Sequence, residues 1–209
     1  MADTLTLYTN PMSRGRIARW MLEEVGQPYE VVNLDFTGSM KTADYLAINP
    51  MGKVPAIRHG DTVVTEVAAI CAYLADAFPD ANLAPPPGDA ARGPYYRWLF
   101  FGAGPLEAAV IDKSLGVTIP EDKKAMVGYR DFATMIDTVE KAVSGDGWLA
   151  GDRFSAADLY IGAHLMWGTM FGSIEKRPAF EAFIARLAER PAHQRATALD
   201  DAAMPKQDG

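Results

Sequence analysis

Asn49-Pro50-Met51-Gly52-Lys53-Val54-Pro55-Ala56-Ile57 is a turn that closes on a proline at the mouth of a strand, and Thr65-Glu66-Val67 follows at the head of an Ala/Ile-rich helical run. Pro55 has no N–H and holds Val54 extended, so a strand beginning here carries a main-chain edge that must find a partner elsewhere. With a cis Val54-Pro55 bond, the Val54 N–H and C=O both face outward and pair antiparallel with an extended peptide, as in strand addition. Lys53 supplies a cation beside this edge. The helix opening at Thr65-Glu66-Val67 supplies N-terminal amides that suit a carboxylate. The pattern suits a ligand with a carboxylate at each end and an amide between them.

At these residues the chain resembles the cytosolic glutathione transferase family, whose thioredoxin-like half carries an N-P-x-G-x-V-P segment and then an E-S pair at the next helix. Glutathione is a ligand of the shape described. The first element matches closely, whereas Val67 stands where the family usually has Ser or Thr, leaving its amide but no hydroxyl for the γ-glutamyl carboxylate. The resemblance implies a glutathione site built from Lys53, Val54, Pro55, Glu66 and Val67. It also implies an α/β thioredoxin-like N-terminal domain followed by an all-α helical bundle.

The flanking sequence agrees with that order of elements. Residues 4–9 are β-rich, Asn10-Pro11-Met12-Ser13 is a loop, and Ile17, Met21 and Val25 recur helically before Gly26. A second strand is expected at 29–34 and a weak helix at 39–48, ended by Pro50. Residues 54–57 and 62–64 flank His59-Gly60-Asp61 as a hairpin, and a helix at 66–78 stops at Pro79. Pro85-Pro86-Pro87-Gly88 continues neither a helix nor a central strand and reads as a stiff linker. The expected division is a thioredoxin-like glutathione-binding domain at 1–80, a linker at 81–88 and an all-helical domain at 89–209.

In that second half Tyr129, Phe132, Ile136, Val139 and Val143 form one apolar stripe, and Gly102, Gly104 and Pro105 should split the first helix. Phe154-Ser155-Ala156-Ala157-Asp158-Leu159 is a capping box with a hydrophobic staple. It resembles the buried capping motif of the same family, so the likeness runs from about residue 5 to about 192.

With 49% hydrophobic and 22% charged residues in 209, the chain is large enough for one big or two small packed domains. A formal charge of -7 without a dense Lys/Arg block argues against nucleic acid or an anionic membrane as partner. No apolar run approaches the roughly 20 residues that span a bilayer, and the N-terminus lacks a basic, apolar leader. The expected address is the cytoplasm. The single cysteine, Cys71, excludes an internal disulfide and a Cys-x-x-Cys motif, and it reads as a small buried hydrophobe. His59, His164 and His193 lack zinc-ligand spacing, so no metal is expected. Gly52-Lys53 lacks the first glycine and the Ser/Thr of a phosphate loop, and no Gly-x-Ser-x-Gly elbow occurs.

A transferase of this kind must hold a thiolate at neutral pH although a free thiol has a pKa near 8.5. Lowering it by about two units needs about 2.7 kcal/mol, which a hydroxyl donor and a helix N-terminus can supply. The loop between the first strand and the first helix offers Tyr8, Asn10, Ser13 and Arg14. Ser13, immediately before the helix, is the first choice, and an ordinary N-cap is its structural alternative. Tyr8 ends the strand as in the tyrosine-using classes, but before a loop about two residues longer, and Asn10 aligns with a serine of other classes. Phe101, Leu106 and Trp167 are the candidates for holding the electrophile, and Tyr95, Trp98 and Phe101 form a stripe suited to core or dimer interface. No resident cofactor is expected, since glutathione is the co-substrate.

The expected activity is addition of the glutathione thiolate to small hydrophobic electrophiles by a homodimer. A glutathione-dependent disulfide reductase or peroxidase is the second reading, and a non-catalytic binding or scaffold protein on the same fold is the third.

Overall fold

Leu5–Thr9 forms β1 of the computed structural model, which describes residues 4–205. After the loop, Gly15–Val25 forms α1, whose C-terminus is closed by Gly26 in the left-handed region (φ 72°) with its N–H on the Leu22 carbonyl. Glycine adopts that backbone without a Cβ penalty, which is why the helix stops there. The crossover returns to β2 (Glu30–Asn33), parallel to β1.

Where one weak helix is expected at 39–48, the structure has a 3-10 turn at Ser39–Lys41 and the single-turn α2 at Ala43–Leu46. The break falls at Thr42, which is extended and caps α2 by accepting the Tyr45 N–H. The hairpin is β3 (Ala56–His59) and β4 (Thr62–Thr65). It begins two residues later than expected, because Pro55 has no N–H to give the ladder and Val54 stays outside it. The sheet order is β2-β1-β3-β4, with β3 antiparallel to both neighbours, and α3 (Val67–Ala77) completes a thioredoxin-like arrangement. Leu7, Met21, Leu22, Ile57, Ile70 and Leu74 are fully buried where α1 and α3 meet each other and the sheet.

The second unit, residues 84–188, is helical. It contains α4 (Arg92–Phe101), α5 (Glu107–Ser114), α6 (Phe132–Val143), α7 (Ala156–Phe171) and α8 (Pro178–Ala188). The expected split after α4 is a π-helical turn at Gly102–Leu106, where Pro105 withholds a ladder donor. Ile136, Val139 and Val143 bury one face of α6 with Met135. Tyr129 is not on that helix: Asp131 caps it by accepting the Thr134 N–H, and Tyr129 lies before the cap with its hydroxyl 2.6 Å from Asp112.

The C-terminal helix α9 (Pro191–Ala202) departs from the expected division at 89–209, because residues after 188 belong with the first unit. Arg19 of α1 donates to Asp200 at 2.7 Å, and both side chains are buried. Arg16 pairs with Asp201, Arg195 with Glu23, and Arg190 with Glu24 through two bonds of 2.6 and 2.7 Å. Charge pairing across about 180 residues of chain thus fastens α9 along α1.

Candidate functional site

The turn before β3 is held from beneath. Asn49, buried, accepts the Met51 N–H at 3.1 Å and donates to the Lys53 carbonyl at 2.8 Å. The Tyr45 hydroxyl donates to the same carbonyl at 2.5 Å, and burial, the largest cause, pushes this phenol up to about 12, so it stays protonated. Lys41, absent from the sequence-level candidates, donates to the Gly52 carbonyl at 2.8 Å. Val54 differs: among the described residues nothing hydrogen-bonds to its N–H or C=O. The Val54-Pro55 peptide is cis. Lys53 is exposed and makes no ion pair with a described residue.

Register brings the other predicted residues to this edge. Ala56, next after Pro55, pairs with Tyr8 of β1 on one side and with Thr65 of β4 on the other. Glu66, following Thr65, therefore lies beside the open edge and opens α3. Its backbone sits at φ 64°, ψ 119°, a region a non-glycine residue occupies at a cost of about 1–3 kcal/mol, and such conformations concentrate at functional sites. Its strain gave no signal in the sequence. No side chain among the described residues caps α3, and the first helical bond in from this end runs from the Ile70 N–H to the Glu66 carbonyl. The Val67 and Ala68 amides are thus open donors at a positive helix terminus, half-buried and suited to a carboxylate.

On the other side, Tyr8 is half-buried and packs with Val54 and Ile48 on the Leu34, Met40 and Tyr45 cluster, its ring 5.8 Å from Tyr45. Its hydroxyl makes no hydrogen bond with a described residue. Asn10 is committed at both ends, donating to Leu34 C=O at 2.7 Å and accepting the Met12 N–H at 2.8 Å, and so shapes the loop. Ser13 Oγ donates to Asn10 C=O at 2.7 Å and accepts the Gly15 N–H at 2.9 Å. It sits half-buried at the opening of α1, while Arg14 is exposed.

In the helical unit Phe101 is half-buried against Trp98, and Trp167 is half-buried against Phe171. Leu106 is not open to a ligand: its side chain is fully buried in the core. Cys71 is buried and desolvation pushes its thiol up to about 12, so it supplies no thiolate near neutral pH. Among the described residues no cluster of His, Cys, Asp and Glu can hold a metal, and no helix is long and apolar enough to cross a membrane.

Two family models match the chain: glutathione S-transferase, N-terminal domain, over residues 3–76, and glutathione S-transferase, C-terminal domain, over residues 109–191. Glutathione S-transferase GstA of Escherichia coli O157:H7 is 30% identical over 94% of this chain and 98% of its own length. A glutathione transferase of Methylococcus capsulatus superposes with a TM-score of 0.78 at 32% identity, covering 95% of this chain and all of the other. A glutathione transferase homologue from Sulfitobacter, solved with bound glutathione, superposes with a TM-score of 0.74 at 29% identity over 97% of this chain and all of its own.

Proposed function

This chain belongs to the glutathione S-transferase family of enzymes, and we propose that it binds glutathione on its thioredoxin-like unit and adds the bound thiolate to a small hydrophobic electrophile. The observation that carries the reading is the unpaired Val54 main chain, flanked by Lys53 on one side and the open amides of α3 on the other. An extended tripeptide pairs its cysteinyl main chain with Val54. Its γ-glutamyl carboxylate meets the Val67 and Ala68 amides beside Glu66, and its glycyl carboxylate meets Lys53 and Lys41. The complex with glutathione in the Sulfitobacter homologue supports the same ligand.

The thiol loses its proton to solvent, and Ser13 donates its O–H to the sulfur anion. The thiolate attacks the electrophilic carbon, an S–C bond forms, and the leaving group departs with the electron pair of the broken bond. Cys71, the single cysteine, is buried, so the reacting thiolate is that of the co-substrate. A homodimer in the cytoplasm is part of the same proposal.

Turnover of a panel of aryl halides and mixed disulfides with glutathione tests the reading. Conjugation of an aryl halide faster than reduction of a disulfide is expected, and the opposite order makes the protein a glutathione-dependent reductase. Asn49→Ala removes two hydrogen bonds that shape the turn. It should raise KM for glutathione about tenfold and lower stability by about 1–3 kcal/mol, leaving Lys53 C=O on Tyr45 alone. An unchanged KM in a folded variant would show that the turn does not shape the glutathione site.

A further inference from the structure

Thr9 ends β1 with its side chain fully buried, and its Oγ1 has no hydrogen-bond partner among the described residues. A buried hydroxyl without a partner is a net cost, which a valine of the same shape avoids. Its position is informative. A side chain begun at Gly15 would meet Thr9 Oγ1 at 1.9 Å and Ser13 Oγ at 3.0 Å, so both hydroxyl oxygens converge on the bare face of Gly15 in the first turn of α1. Glycine at 15 leaves the space between β1 and α1 to these two oxygens.

We propose that Thr9 is a positioning residue for Ser13, supplying the hydrogen bond that Ser13 Oγ accepts when it turns its own proton to the thiolate. This rests on the assignment of Ser13 above. The Ser13 proton lies on Asn10 C=O and one lone pair holds the Gly15 N–H. The second lone pair of Oγ is unused in this arrangement, and as the proton swings to sulfur it can accept the Thr9 O–H. A bond donated into Oγ polarises the Ser13 O–H and strengthens its bond to the anion. No covalent bond changes, and the proton on Thr9 stays with Thr9.

The thiol pKa of bound glutathione, followed by its ultraviolet thiolate absorbance, reads this directly. Thr9→Val should raise that pKa by about half to one unit, the worth of one neutral hydrogen bond, and leave the midpoint of thermal unfolding unchanged or higher. Thr9→Ser, which keeps the hydroxyl, should restore the wild-type value, and Thr9→Val added to Ser13→Ala should cause no further shift. If Thr9→Val folds poorly, Thr9→Ala and Thr9→Ser form the same comparison. An unchanged pKa in Thr9→Val with a raised one in Ser13→Ala overturns the role of Thr9 and leaves Ser13 standing. A Thr9→Val shift that persists in the Ser13→Ala background overturns it as well. An unmoved pKa in Ser13→Ala overturns both assignments.

Discussion

Ser13→Ala is expected to raise the thiol pKa of bound glutathione from about 6.5 by about one to two units, toward the free-thiol value near 8.5. One charge-assisted hydrogen bond from Ser13 Oγ is worth about 1.5–3 kcal/mol, or about one to two pKa units. At pH 7 the larger shift cuts the thiolate fraction about 25-fold, and kcat/KM for an aryl halide should fall by nearly as much. The sign follows from the titration. Above pH 9 both enzymes hold mostly thiolate, so the deficit shrinks as pH rises and is largest on the acid side. Stability should fall only by about 1 kcal/mol, because the hydroxyl also accepts the Gly15 N–H. If stability falls while the pH profile stays in place, Ser13 is a helix cap. Tyr8, whose hydroxyl has no partner among the described residues, is then the donor to test through Tyr8→Phe.

The second large effect is on folding. Asp158 is fully buried, and its carboxylate accepts the Leu149 N–H at 2.7 Å, the Ser155 N–H at 2.8 Å and the Ser155 O–H at 2.7 Å. It therefore caps α7 and ties down the loop at Leu149 in one group. Asp158→Ala leaves two buried N–H groups unpaired, each costing about 1–3 kcal/mol, so a loss of about 3–5 kcal/mol is expected. That corresponds to a fall in Tm on the order of 10 °C. Ser155→Ala removes only the hydroxyl and should cost about 0.5–2 kcal/mol. Denaturant midpoints for the two variants check the ranking, and an Asp158→Ala midpoint equal to that of Ser155→Ala would show that the Leu149 bond carries no weight.

Local chemistry accounts for what the sequence made legible. Gly26, Pro55, Pro79 and Pro105 act on the backbone within a turn of themselves, so the ends of α1, β3 and α3 and the split after α4 are written beside them. Ser155 and Asp158 lie three residues apart and announce the start of α7 in the same way. The packing of α9 on α1 was not legible, since Arg19 and Asp200 are found together only after the chain has folded. The candidate site divides along the same line. Lys53, Val54, Glu66 and Val67 sit in short motifs, whereas Lys41 reaches Gly52 across a loop, and the strained backbone of Glu66 has no residue-type signature. Leu106 looked like pocket wall because apolar residues of core and pocket are alike in sequence. Thr9 has a signal in the sequence: alternation along β1 puts it on the buried face with Leu5 and Leu7, where a hydroxyl is out of place.

Glutathione, in the proposed function, is held jointly by the open Val54 edge, Lys53 and the N-terminus of α3. Titration calorimetry of the protein with glutathione tests it most directly. Saturable binding is expected, with Kd at or below about 1 mM, equivalent to about -4 kcal/mol or better. No binding heat at millimolar glutathione, from a folded protein at two temperatures, would contradict it.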